Sequence, residues 1–125
     1  MSDPKWESEY REIPAGIRAA ADLMRARLQE ANLWGADLTG GRLVRADLRG
    51  ADLTRARLQG ADMQGAKLRG ANLVQADLQG ANLQGLSFQD VDLYKANLQG
   101  ADLRGADLEG ASGLTRAQRE SARLA

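Results

Sequence analysis

Nine aspartates stand one residue before an apolar partner at a fixed position: Asp22, Asp37, Asp47, Asp52, Asp62, Asp77, Asp92, Asp102 and Asp107. Carboxylates can do general acid–base work, and two held side by side drive one pKa upward into a useful range. They are the best catalytic candidates in the chain, which contains no His and no Cys. Those absences remove the usual general base, the soft metal ligands, the thiol nucleophile and any disulfide framework. The glycines are spread singly and form no phosphate loop. Whether the aspartates can cooperate therefore depends on how the backbone spaces them.

The spacing is five. Leu23, Leu28, Leu33, Leu38, Leu43, Leu48, Leu53, Leu58, Met63, Leu68, Leu73, Leu78, Leu83, Phe88, Leu93, Leu98, Leu103 and Leu108 recur without a gap, with Ala two residues earlier in nearly every unit. On an α-helix each step of five turns about 500°, so these residues would form no stripe. A strand alternates faces with period two, and an odd step would send successive leucines to opposite sides. Each unit must contain its own corner, a short extended piece followed by a tight turn. Two residues after Leu, eleven of the eighteen units carry Gly, which suits the positive φ of a type II turn. The other seven carry Arg25, Glu30, Arg45, Arg55, Gln75, Asp90 and Lys95, and those corners are expected to use a turn that avoids positive φ.

The number of corners per coil follows from charge. Stacked coils place like positions side by side, and like charges directly opposite destabilise. A coil of fifteen residues would stack Asp on Asp six times and one of twenty-five would do so four times, whereas twenty residues give none in fourteen pairs. The columns are then Asp22-Arg42-Asp62-Asn82-Asp102, Arg27-Asp47-Lys67-Ser87-Asp107, Asn32-Asp52-Asn72-Asp92 and Asp37-Arg57-Asp77-Asn97. Four units make one coil, and the cross-section is a square. The aspartates are thus dispersed over an outer surface, with no stacked pair to raise a pKa. No enzyme activity, cofactor or metal is expected.

The unit Ala, Asp or Asn, Leu, any residue, any residue (often Gly) closely resembles that of the pentapeptide-repeat proteins. The match runs from Ala21 to Gly110, ninety of the 125 residues. This resemblance implies an all-β fold: a right-handed quadrilateral parallel β-helix with Leu or Phe and the small Ala inside. At twenty residues per coil the solenoid holds about 4.5 coils and spans roughly 22 Å. Gly41, Leu86 and Val91 depart from the inner Ala, and Met63 and Phe88 from Leu. The segment 86–95 holds two enlarged inner residues and calls for a locally wider coil or a shifted backbone.

The flanks suggest an N-terminal cap over residues 1–20, the solenoid over 21–110 and a C-terminal cap helix within 111–125. Trp6, Tyr10, Ile13 and Ile17 fall at helix-like spacings, Pro14 interrupts them, and residues 5–12 are expected to form a short helix or turn over the first coil. Gly113 breaks the register, and Thr115 with Gln118 suits a capping box opening a helix over 116–124. The 17 acidic side chains balance 17 basic ones. No apolar run reaches membrane-spanning length and residues 1–20 lack a signal peptide's apolar centre, so a cytoplasmic protein is expected.

Three surface features remain. Trp34, Thr54, Val74 and Tyr94 would form one vertical ladder on the third face, a candidate stripe for an unidentified protein partner, or plain sheet-surface pairing. Arg25, Arg27, Arg42, Arg45, Arg49, Lys67 and Arg69 gather at the corner between the first two faces, but acidic residues lie among them and direct nucleic-acid binding is not expected. Gln59, Gln79 and Gln99 stack beneath Thr39, with amides able to bond along the coil axis. The reading is a non-catalytic structural or interaction module, either a monomer or a weak dimer through its C-terminal end. The alternative implied by the resemblance is a DNA-mimicking gyrase inhibitor or resistance protein. Duplex mimicry needs an acidic face, yet residues 21–110 carry 12 acidic and 11 basic side chains.

Overall fold

Every fifth residue turns a corner. In the computed structural model, which describes residues 22–123, all eighteen corners take φ between +57° and +82°. The N–H after each corner donates to the Leu carbonyl three residues back, as from Ala26 to Leu23 at 3.0 Å. Positive φ at the second central residue with this bond describes a type II turn. The expectation for the non-glycine corners is therefore wrong: Arg25, Glu30, Arg45, Arg55, Gln75, Asp90 and Lys95 all sit at φ +57° to +60°. The left-handed region costs an L-residue about 1–2 kcal/mol. The coil above imposes it, because the corner N–H must donate upward, as Arg25 does to Val44 and Arg55 to Val74, each at 2.9 Å.

The coils stack with a period of twenty. Fourteen parallel bridges join residues twenty apart, from Asp22 with Arg42 to Asp92 with Ser112. Each unit contributes one bridge residue rather than an extended strand, because the turn consumes the rest of its five residues. Inside lies one contiguous core of leucines and alanines, with Met63, Phe88, Leu86 and Val91 among them. No polar or charged side chain is buried among the described residues.

The stack is interrupted once. Lys67 and Ser87 have the right spacing but form no bridge, and three axial bonds are absent there: Leu68 N–H to Ser87, Ser87 N–H to Ala66 and Gly65 N–H to Gln84. Nearby bonds lengthen, to 3.2 Å from Gly70 to Gln89 and 3.3 Å across the turn from Leu86 to Leu83. Leu86 is buried where most units have Ala, and its added bulk beside Phe88 holds the upper coil away from the lower one. Ala66, beneath the opening, remains 7% exposed while Ala46, Ala51, Ala56 and Ala61 are sealed. The shifted backbone expected of segment 86–95 is thus present, chiefly on its lower side, although the Asp90 N–H on the upper side also slips one residue, to the Gly110 carbonyl at 3.2 Å. Above it, Asp107 N–H reaches Leu86 at 2.8 Å and Phe88 N–H reaches Asp107 at 2.9 Å.

At the far end, helix α1 spans Arg116–Arg123. Its start is the anticipated capping box: Gln118 N–H donates to Thr115 Oγ1 at 3.1 Å, and Thr115 N–H to Gln118 Oε1 at 2.9 Å. Gln118 Nε2 also donates to the Ala96 carbonyl at 3.0 Å, and the Arg119 guanidinium to that of Ala111 at 2.8 Å. These bonds dock α1 on the last coil, with Leu114 and Ala122 packed against the core. The cap expected over residues 1–20 lies outside the described residues.

Candidate interaction face

The carboxylates have a structural task. Each Asp or Asn preceding a core residue accepts the backbone N–H two positions on, at 2.9–3.3 Å, in all thirteen cases from Asp22–Met24 to Asp107–Glu109. That N–H lies at the first central position of the turn, and the side chain closes the corner as an Asx turn. Sequence reasoning missed this role, although Asp and Asn sharing one slot was its visible sign: both offer an acceptor oxygen, and only one is an acid. Ser87 substitutes weakly, at 3.4 Å to Gln89 N–H.

The strongest ion pairs are local rather than between coils. Arg49 meets Asp47 at 2.5 Å and Arg104 meets Asp102 at 2.6 Å, against 3.6 Å for the stacked pair Asp22–Arg42. The Arg49 side-chain bonds hold the Asp47 carboxyl below its ordinary pKa. The Thr39 hydroxyl does the same to Asp37. Arg104, chiefly through its side-chain hydrogen bonds, lowers Asp102 to about 2. A depressed carboxylate stabilises the fold above its unfolded pKa, and that contribution fades as pH falls through the folded value. Asp102 is therefore expected to titrate near 2 by NMR and to move up toward the ordinary value in Arg104→Ala. An unmoved midpoint would show that Arg104 is not the cause.

No group of three or more potential metal-ligating side chains occurs among the described residues, and no described helix is long and apolar enough to cross a membrane. The glutamine stack differs from expectation. Thr39 Oγ1 does reach Gln59 Oε1 at 3.3 Å, but Gln59 Nε2 donates diagonally to Asp77 at 2.9 Å, as Gln84 does to Asp102 at 2.8 Å. The carboxylates compete better than another amide because their bonds are charge-assisted. At the basic corner, Arg42, Arg49 and Arg69 are paired with Asp22, Asp47 and Asp90.

The third-face column forms as expected. Gly35 N–H to Thr54, Arg55 N–H to Val74 and Gln75 N–H to Tyr94, all at 2.8–2.9 Å, stack the backbones of Trp34, Thr54, Val74 and Tyr94. Trp34 is 56% exposed and Tyr94 53%. The Arg55 guanidinium lies 5.7 Å from the Trp34 ring centroid and the Lys95 ammonium 5.4 Å from that of Tyr94. Arg55 is further held by a 2.8 Å bond to Gln75. Thr54 and Val74 are half-buried, and the Thr54 hydroxyl is tied to Asp52 at 2.6 Å. Two exposed rings, roughly 14 Å apart at strand spacing, thus flank the half-buried Thr54 and Val74.

A solenoid of five-residue units with one exposed aromatic column defines a repeat scaffold. The family model for pentapeptide repeats matches residues 21–40, 35–70 and 71–110, and the chain belongs to that family. It is similar to the crystal structure of Rfr23, a pentapeptide repeat protein from the cyanobacterium Cyanothece 51142, with 38% identity and a TM-score of 0.70 over 72% of this chain and 62% of that one. The chain thus spans about three fifths of that protein's length. A pentapeptide repeat protein from the Arabidopsis thaliana thylakoid lumen shares the fold at 23% identity and a TM-score of 0.64, over 88% of this chain and 79% of that one. A search of curated protein sequences returns no match.

Proposed function

We propose that the protein is a non-catalytic interaction module that presents its third face to a protein partner. The observation carrying this reading is the column itself: two large aromatic side chains, each more than half exposed, stand on one rigid ladder. Aromatic anchors dominate binding energy at interfaces, and a scaffold that holds them still reduces the entropy lost on docking. The cations over each ring keep the aromatics oriented and add a polar rim. The nine aspartates that precede a core residue are engaged as turn caps, which fits a structural rather than a catalytic task.

The reading takes the chain as cytoplasmic and as a monomer or a weak dimer through the C-terminal end. There a groove of about 550 Å³ between α1 and the last coil leaves Leu98 partly exposed. The test is Trp34→Asp combined with Tyr94→Asp, used beside wild type to capture partners from native lysate. Both substituted side chains are exposed, so the fold is expected to survive, as circular dichroism would verify. Loss of a specific partner is the expected result. An identical set of captured proteins would exclude this face, and a topoisomerase subunit in both lanes would favour the inhibitor reading.

A further inference from the structure

The opening at Ser87 has a chemistry of its own. In the coils below, Arg45 N–H donates to Gln64, Leu48 N–H to Lys67 and Lys67 N–H to Ala46, at 2.8–3.0 Å. One coil higher, the equivalent N–H groups of Gly65, Leu68 and Ser87 have lost those partners. Ladder donors run along the coil axis, upward from Leu68 and downward from Ser87, so both point into the same gap. Released from the ladder at a gap open to the surface, these donors are free to bond an acceptor that enters it.

The surroundings favour an anionic one. A notch of about 260 Å³ surrounds the gap, lined by Arg49, Lys67, Leu68, Arg69, Ser87 and Gln89 together with Ala66. Three of these side chains are cations and none is a carboxylate. Asp47 holds Arg49 and Asp90 holds Arg69, while Lys67 makes no ion pair among the described residues. Ser87 occupies a slot that elsewhere holds Asp or Asn in most units, so a hydroxyl able to donate replaces an oxygen that would face an anion. Asp107, stacked on the far side of Ser87, is occupied by the Glu109 N–H at 2.9 Å. The volume falls below the ~300 Å³ at which pockets for small organic molecules begin, and suits an ion-sized group.

We propose that this notch binds one phosphate group, free or carried on a larger ligand, through the Leu68 and Ser87 N–H groups, the Ser87 hydroxyl and the Lys67 ammonium. The site is independent of the third-face stripe. The experiment follows backbone amide shifts of the full chain during titration with inorganic phosphate and, separately, with O-phosphoserine. Saturable shifts centred on Leu68 and Ser87 are expected. Saturation by inorganic phosphate alone assigns the site to the free ion, and saturation by both to a phosphoryl group.

Leu86→Ala keeps every cation but lets the ladder close, which slower hydrogen exchange at Leu68 and Ser87 would verify, and it is expected to abolish the response. Lys67→Gln leaves the opening intact and carries the test should Leu86→Ala fail to fold; it is expected to weaken binding about tenfold. Absent shifts, shifts spread over the whole basic corner, or a response undiminished in these variants would overturn the proposal.

Discussion

Leu58→Ala is expected to lower the unfolding free energy by about 2–5 kcal/mol, a large share of the ~5–15 kcal/mol typical of a domain. Leu58 is fully buried, midway up the fourth-face column between Leu38 and Leu78, which are equally buried. Its unit cannot relax inward to fill the cavity. Leu58 N–H is bonded to Asp77 at 2.7 Å, Arg57 N–H to Ala36 at 2.9 Å, and Ala61 N–H closes the turn onto Leu58 at 3.0 Å. A backbone pinned from above, below and across its corner retains the void, and the cost belongs in the upper part of the range. Leu98 occupies the same column at the exposed end and is only partly buried, so Leu98→Ala should cost clearly less. Urea unfolding of both variants checks this. Equal losses would contradict a core whose strength depends on having a coil on each side.

Gly113→Ala is expected to destabilise the C-terminal end by about 1–3 kcal/mol, the usual cost of forcing an extra methyl into a packed site. Gly113 takes φ +83°, and a Cβ there would lie 2.4 Å from the Tyr94 nitrogen and 2.5 Å from its Cα. The obstruction is backbone, which cannot swing aside. Where the repeat calls for another core Leu, the chain passes directly over Tyr94 and diverts into α1. Adding a methyl forces that crossing outward and strains the bonds from Gln118 to Ala96 and from Arg119 to Ala111. Hydrogen exchange should therefore accelerate in the last coil and α1 while the coils around Leu58 stay protected. Gly35→Ala is the control, because open space surrounds its Cβ at a comparable positive φ. Similar behaviour of the two variants would show that conformational strain, and not the close approach to Tyr94, governs the site.

The five-residue period of the core, the twenty-residue coil and the capping box at Thr115 were legible in the sequence because each rests on a repeated or local pattern. The avoidance of Asp on Asp was enough to set the register, although among the described residues only Asp22–Arg42 forms an ion pair along a column. The third-face column was legible for the same reason, since a fixed register places Trp34 and Tyr94 on one column three coils apart.

What stayed hidden depends on cooperation between coils. Arg45 and Arg55 in isolation favour negative φ, and only the axial bonds to the next coil hold them at +60°. The turn-capping role of Asp and Asn emerges once the corner leaves one N–H without an axial partner. The enlarged Leu86 signalled a disturbance, but its direction, which strips bonds from Leu68 below and spares Asp107 above, follows from three-dimensional packing. The position of Gly113 over Tyr94 depends likewise on how the last coil ends.

The central claim, that the third face meets a protein, is tested most directly by site-specific photocrosslinking inside cells. A benzophenone side chain at Thr54, between the two exposed rings, is compared with one at Gln64 on the first face. The account predicts a discrete crosslinked protein from position 54 and none from position 64, with the product lost when Trp34 and Tyr94 are both replaced by Asp. Crosslinks of equal yield from both faces, or a product that survives that double substitution, would contradict it.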